Sequence, residues 1–291
     1  MSPGWFRKLA TSIIEREWIL IMSEYSTLSV TQEGGVAVIE LNRPDKANAL
    51  NMAMWEEIGL AFRRADQEST VRVVVLRGAG KHFCSGIDLM DFASVMTGKE
   101  KCDGRRREEL RRLILKLQGC LSAIEECRKP VLAALHGGCI GGGVDMVASC
   151  DMRYISAEGY LQIKEIDIGM TADVGTLQRL PHIIGDGVMR ELAYTGRKVD
   201  AEEARAIGLV NRVYESPEAL MAGVMETAQV IAGKSPLAIR GTKEMIKYTR
   251  DHSVADSLNY VATWNAAMLI SEDIQEAMMA QMQKREPKFR D

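Results

Sequence analysis

The chain has 291 residues and a formal net charge of −3, with 46% hydrophobic and 26% charged residues. That length suits one large α/β domain with an appendage, and the near-neutral balance gives no electrostatic footprint for nucleic acid. No apolar run approaches the roughly 20 residues of a membrane span, so neither a nucleic-acid nor a membrane partner is expected.

At the amino end, Arg7 and Lys8 precede a short apolar stretch to Ile14, which Glu15, Arg16 and Glu17 interrupt. The break argues against a signal peptide, and the glutamates argue against a transit peptide. Residues 1–23 are expected to be a weakly ordered extension, the product of a start codon upstream of Met22. The chain ends Lys288-Phe289-Arg290-Asp291, which is no peroxisomal tripeptide; the missing signals imply a cytoplasmic protein. Six cysteines (Cys84, Cys102, Cys120, Cys127, Cys139 and Cys150) form no C-x-x-C pair and show no zinc-type spacing with the scattered histidines. They read as free thiols in a reducing compartment, and no metal is expected.

From Tyr25 the pattern is strand-rich. Alternation over Thr27–Thr31 and Val36–Leu41, with Gly34-Gly35 between them, predicts a hairpin. Met52 to Asp66 has helical spacing, with Trp55, Ile58, Leu60 and Phe62 as its apolar stripe. Val71–Leu76 and Val131–Leu135 read as buried strands. Between them a long helix is predicted over about Arg106–Cys127, and its arginine cluster at positions 105–107, 111 and 112 reads as a solvated face. Strands alternating with helices predict an α/β core over 24–215. After about Ser216 the strands stop, and helices are predicted over Pro217–Gly233, Leu237–Thr249, Val254–Leu269 and Glu272–Lys284. So many apolar and Met residues need a covering surface, so 216–291 is expected to mediate oligomerisation.

The second buried strand feeds a glycine-dense turn, HGGCIGGGVD, from His136 to Asp145. Glycines 137, 138, 141, 142 and 143 let main-chain amides approach a ligand, and a helix starting at the triple glycine would present unpaired amides to an anion. The same glycines could instead serve tight packing. A Walker loop needs a following lysine, and a dinucleotide fingerprint needs G-x-G-x-x-G; neither is present. Three acids accompany the turn: Asp145, Glu165 and Asp173. Each has a structural alternative. Asp145 would sit in the first turn of the helix, Asp173 could cap a helix starting at Val174, and Glu165 could be a solvated acid paired with Lys164. Cys139, inside the turn, reads as a space filler.

Ordered motifs along the chain carry a resemblance. Leu41-Asn42-Arg43-Pro44 with Asn48-Ala49-Leu50, then Phe83 to Leu89 (FCSGIDL), the HGGCIGGGVD turn, and Lys284 to Phe289 together resemble the enoyl-CoA hydratase/isomerase (crotonase) superfamily. GIDLMD at 86–91, KEIDIGMTADVGTLQRLP at 164–181 and RDHSVADSLNYVATWN at 250–265 are similar to its dienoyl-CoA isomerase branch. The resemblance spans about Tyr25 to Phe289. It implies a spiral of repeated β-β-α units followed by a helical trimerisation region, assembled as a homotrimer or a hexamer built as a dimer of trimers.

It also implies an acyl-CoA thioester as substrate and no cofactor. Oxyanion donors would come from the Ser85-Gly86-Ile87 segment and from Gly142 or Gly143, with Asp88 and Leu89 alongside, and Arg43, Lys46, Ala47 and Ala49 would form the loop around the CoA nucleotide. Hydratases of the family hold glutamates where this chain has Asp145 and Glu165; Asp173 matches the isomerases. The implied chemistry is a proton shift in a 3,5-dienoyl-CoA. Glu165 would remove a proton from C2, Asp173 would deliver one to C6, and Asp145 would orient Glu165. The resting complex would then hold Glu165 ionised and Asp173 protonated. The alternatives are a 2-enoyl-CoA hydratase and a non-catalytic binding protein of the same superfamily.

Overall fold

The structure, a computed structural model, describes residues 25–96 and 102–291; the extension expected over 1–23 lies outside the described residues. A six-stranded sheet forms the frame. Its strands are β1 (Leu28–Glu33), β2 (Val36–Leu41), β3 (Val73–Gly78), β4 (Val131–Leu135), β6 (Met152–Ser156) and β9 (Arg212–Tyr214), neighbouring in that order. β1 and β2 are the expected antiparallel hairpin, closed by Gly34 at φ +56°, and every later pair is parallel. A smaller sheet joins β5 (Gly138–Ile140), β7 (Tyr160–Gln162) and β8 (Lys198–Asp200). Isolated bridges between Leu50 and Ile87 and between Cys84 and Cys139 continue the line of that small sheet. The chain thus alternates between the two layers and returns through helices, which is the spiral of β-β-α units that the resemblance implies.

The parallel strands read as unbroken apolar runs because both faces are covered. Successive side chains point to opposite sides: Val74, Leu76, Ala133 and Leu135 join the main core, and Val73, Val75, Leu132 and Ala134 join a second cluster. The main core is closed by α1 (Met52–Gln67) and by α3 (Asp103–Glu126), which follows the short α2 (Leu89–Met96). α1 starts at Asn51, whose side chain accepts the Met54 amide at 3.0 Å. Its buried stripe is Trp55, Ile58, Phe62 and Ala65; Leu60, expected among them, is exposed, because it lies two residues, or 200°, from Ile58. The α3 arginines are solvated as expected. α4 (Gly142–Ala148), α5 (Thr176–Arg179), α6 (Asp186–Thr195) and α7 (Ala201–Ala206) complete the core region.

Four helices follow: α8 (Pro217–Ala232), α9 (Pro236–Tyr248), α10 (Val254–Met268) and α11 (Glu272–Met282). Each begins on a serine, Ser216, Ser235, Ser253 or Ser271, whose side chain accepts the amide three residues on. One boundary moves. The helix α8, expected to need an outside surface, finds it within the chain: Leu220, Val224 and Ala228 pack on Val36, Val73, Val75 and Leu132 of the sheet. α10 buries no residue, and Val254, Leu258, Leu269, Ile270 and Met282 stand exposed. Replacing Leu220, 1% exposed, by Ala is expected to cost about 2–5 kcal/mol of stability, measured by urea unfolding; a cost below about 1 kcal/mol would show that α8 is not part of the sheet's core.

Candidate active site

Two main-chain segments meet at the mouth of the small sheet. The 86–88 segment is pinned to α1's leading loop, since Leu50 donates to the Gly86 carbonyl at 2.8 Å and Asp88 donates to the Leu50 carbonyl at 3.0 Å. In that pairing the intervening Ile87 amide points the other way. Alongside runs the glycine turn, where Gly141, at φ +51°, swings the chain from β5 into α4. The contact between the segments needs glycine: a Cβ on Gly86, at φ +93°, would lie 3.1 Å from the Ile140 carbonyl oxygen and 3.7 Å from the Gly142 nitrogen. Among the described residues, no acceptor takes the amide of Ile87 or of Gly142.

Beside these amides lies a cavity of about 550 Å³. Leu50, Trp55, Phe92, Leu113, Ile114 and Leu117 give it apolar walls, and Asp145, Glu165 and Asp173 all line it. Asp145 sits in the first turn of α4 and is 1% exposed. Its Oδ1 accepts the Thr176 amide at 2.6 Å, while its Oδ2 and the Glu165 Oε2 are buried with no hydrogen-bond partner among the described residues. The two carboxyls are close enough to influence one another's proton affinity. Burial raises the proton affinity of Asp145 and of Glu165, and mutual repulsion adds to it on Asp145. Asp173 is also raised by burial. Among the described residues no cation pairs with them: Lys164, in the cavity wall, is ion-paired with Asp167 at 2.9 Å, not with Glu165. Nor does Asp173 cap a helix at Val174; α5 starts later, at Thr176, behind Gly175.

Of the other expected residues, Ser85, Gly86, Ile87, Leu89 and Gly142 line the cavity. Gly143 lies behind it, where a Cβ would sit 3.0 Å from that of Cys84. Asp88 faces away: it pairs with Arg43 at 3.1 Å and accepts the Met90 amide at 3.2 Å. Arg43 also donates to the Ala49 carbonyl at 2.5 Å, so its guanidinium staples the loop to the 86–88 segment. Lys46 is exposed in the 3₁₀ turn Pro44–Lys46, and Ala47 follows it in the left-handed region at φ 48°. None of Arg43, Lys46, Ala47 and Ala49 lines the cavity; they border it through Leu50. Cys139 is fully buried, as a space filler should be. Three contributors have no linear signal: the Thr176 amide on Asp145, Gln118, which donates to the Asp173 carbonyl at 2.6 Å, and Arg179 behind the Asp173 loop.

The family model described as enoyl-CoA hydratase/isomerase matches residues 31–291. The chain belongs to that family. It is 47% identical, over 93% of its length and 99% of the relative's, to an Arabidopsis thaliana protein named Delta(3,5)-Delta(2,4)-dienoyl-CoA isomerase, peroxisomal. It is 46% identical to the human protein of that name, mitochondrial, over 91% of this chain and 81% of the relative. Among solved structures, Bacillus anthracis enoyl-CoA hydratase superposes with a TM-score of 0.83 at 31% identity, covering 91% and 99% of the two chains. A putative enoyl-CoA hydratase from Streptomyces coelicolor A3(2) gives 0.85 at 28% identity, covering 92% and 95%.

These names overturn the expected cytoplasmic location. Relatives this similar are named for organelles, so signals missing by eye carry no information about compartment.

The buried acids make stability depend on pH. A carboxyl whose folded proton affinity is raised favours folding below the ordinary carboxylate range and loses that contribution as pH rises through the raised value. Asp145→Asn removes one such titration and supplies an amide donor to Glu165. The variant is expected to melt higher than the parent at pH 8, by about 1–3 kcal/mol of stability, and to match it near pH 4. Thermal melting across that range checks this, and an offset independent of pH would contradict it.

Proposed function

We propose that the protein is a dienoyl-CoA isomerase that converts a 3,5-dienoyl-CoA to the 2,4-dienoyl-CoA in the oxidation of unsaturated fatty acids. The carrying observation is that Glu165 and Asp173 line one apolar cavity whose mouth holds the unpaired amides of Ile87 and Gly142. With the thioester oxygen between those amides, negative charge that develops on removal of a C2 proton is met by fixed donors, each worth roughly 10²–10³ in rate. Glu165 is the base. Asp145, the most deeply buried acid, keeps its proton and donates it in a hydrogen bond to Glu165, which keeps Glu165 ionised and aimed. Charge spreads along the diene to C6, where Asp173, also kept protonated by burial, delivers a proton. The thioester supplies the acidity, so the chemistry calls for no cofactor.

The Arg43–Ala49 loop, bordering the cavity through Leu50 and carrying the exposed Lys46, would meet the CoA nucleotide. The exposed apolar residues of α10 and α11 would be covered by further copies of the chain in a homotrimer, or in a hexamer of two trimers.

Turnover of a 3,5-dienoyl-CoA, followed by the absorbance of the conjugated product, tests the reading; fast hydration of crotonyl-CoA without dienoyl turnover would instead make the protein a hydratase. Asp173→Asn is expected to lower kcat roughly 10²–10⁴-fold with acyl-CoA binding retained. Glu165→Gln is expected to stop exchange of the C2 hydrogen with deuterated solvent. Unchanged turnover in the first, or continued exchange in the second, would remove that residue from its role.

A further inference from the structure

Building on the isomerase reading, we propose that Arg179 is a positioning residue: it locks the loop that carries Asp173 against α3 and thereby sets the reach of the acid at the C6 end. Arg179 ends α5, does not line the cavity, and is largely buried, with its side chain 14% exposed. Its Nε donates to Glu125 Oε2 at 2.9 Å and its Nη2 to Ser122 Oγ at 3.2 Å, both on α3, while Nη1 reaches the Val174 carbonyl at 3.4 Å.

The loop is shaped around this guanidinium. Gly175 sits at φ +138°, and a Cβ there would fall 1.8 Å from Arg179 Nη1, so a side chain at that position would be strained and would force the guanidinium to shift. Gln118, one turn before Ser122, holds the neighbouring Asp173 carbonyl at 2.6 Å. Gln118, Ser122 and Glu125 fall on one face of α3, since residues three and four apart stack along a helix. That face is the template on which residues 173–175 lie. Glu125 is held in turn by Arg250, beyond the end of α9.

On its other side, the hydrogen bond that joins the loop to the Asp145–Glu165 pair among the described residues is the one from the Thr176 amide. The two halves of the proton shift therefore rest on different supports. Removal of the C2 proton uses Glu165, Asp145 and the two amides, while delivery to C6 uses Asp173 and the α3 template. Loosening Arg179 moves the second and spares the first.

The experiment compares wild type with Arg179→Met, Arg179→Lys and Glu125→Gln. It measures kcat and KM on a 3,5-dienoyl-CoA, exchange of the substrate's C2 hydrogen in deuterated water, and thermal melting. An acid displaced by about 1 Å costs on the order of 10²-fold. Arg179→Met is accordingly expected to lose about 30-fold or more in kcat, with KM and C2 exchange within about threefold of wild type. Arg179→Lys, which keeps the charge on Glu125, should recover part of the loss. The Arg179→Met/Glu125→Gln double variant should fall no further than Arg179→Met alone, as for two members of one link. Unchanged kcat, equal loss of exchange and turnover, or additive losses would overturn the proposal. Should Arg179→Met fail to fold, Glu125→Gln carries the same split, and equal loss of its two activities is equally fatal. Absence of turnover in wild type counts against the isomerase reading itself, whereas normal turnover in Arg179→Met counts against the positioning role alone.

Discussion

A main-chain N–H is an obligatory donor that seeks an acceptor, and this fold holds two without one among the described residues, on Ile87 and Gly142, lining an apolar cavity. The arrangement persists because the chain around each amide is over-determined. Bonds through Leu50 hold Gly86 and Asp88 on either side of Ile87; Gly141 accepts the amides of Val144 and Asp145 and so fixes the start of α4. The glycines at 86 and 141 let the two segments approach, and the Arg43–Asp88 ion pair ties the first of them to the loop before α1. A carbonyl oxygen placed between the amides would accept from both, and an oxygen bearing negative charge would be held more strongly. That difference between neutral and charged oxygen is the source of rate enhancement in the proposed reaction.

The acids follow the same logic with the sign reversed. Glu165, Asp145 and Asp173 share one apolar cavity, and the lysine in its wall is committed to Asp167. With no cation paired to them among the described residues, burial governs, and it raises the proton affinity of all three. Repulsion then sorts them, because a carboxylate next to another can avoid the charge by keeping its proton. Asp145 is the most enclosed of the three, which in the proposed reaction favours the proton resting there and leaves Glu165 as the base.

Much of the frame was legible because it rests on local periodicity. Val131–Leu135 coincides with β4, and the four carboxy-terminal helices start at serine caps within a residue or two of their expected ends. The three-residue strands β5, β7 and β8 are too short to leave a pattern, and Leu60 shows that an apolar residue near a stripe need not be on it. At the site, the glycine turn and the three acids were visible as residue types. Their partners were not: Asp88 answers Arg43 across 45 positions and Gln118 answers Asp173 across 55, and nothing in a linear pattern links such pairs. Asp88 in particular looks like part of the amide segment in sequence, yet its carboxylate is turned to Arg43.

The carboxy-terminal region is more than an appendage to this arrangement. α8 closes the back of the sheet, Lys243 on α9 donates to the Lys129 carbonyl at 3.0 Å and to Asp151 at 2.7 Å, and Arg72 on the sheet side donates to the Phe289 carbonyl at 2.6 Å. Arg250 reaches Glu125, the residue that also holds Arg179. A continuous chain of charged contacts therefore runs from the end of α9, through the last turn of α3, to the loop carrying Asp173. α10 and α11, which follow Arg250 in the chain, expose Val254, Leu258, Met268 and Met282. Were further copies of the chain to cover these residues, as the proposed assembly requires, the burial would fall next to the contacts that support the Asp173 loop.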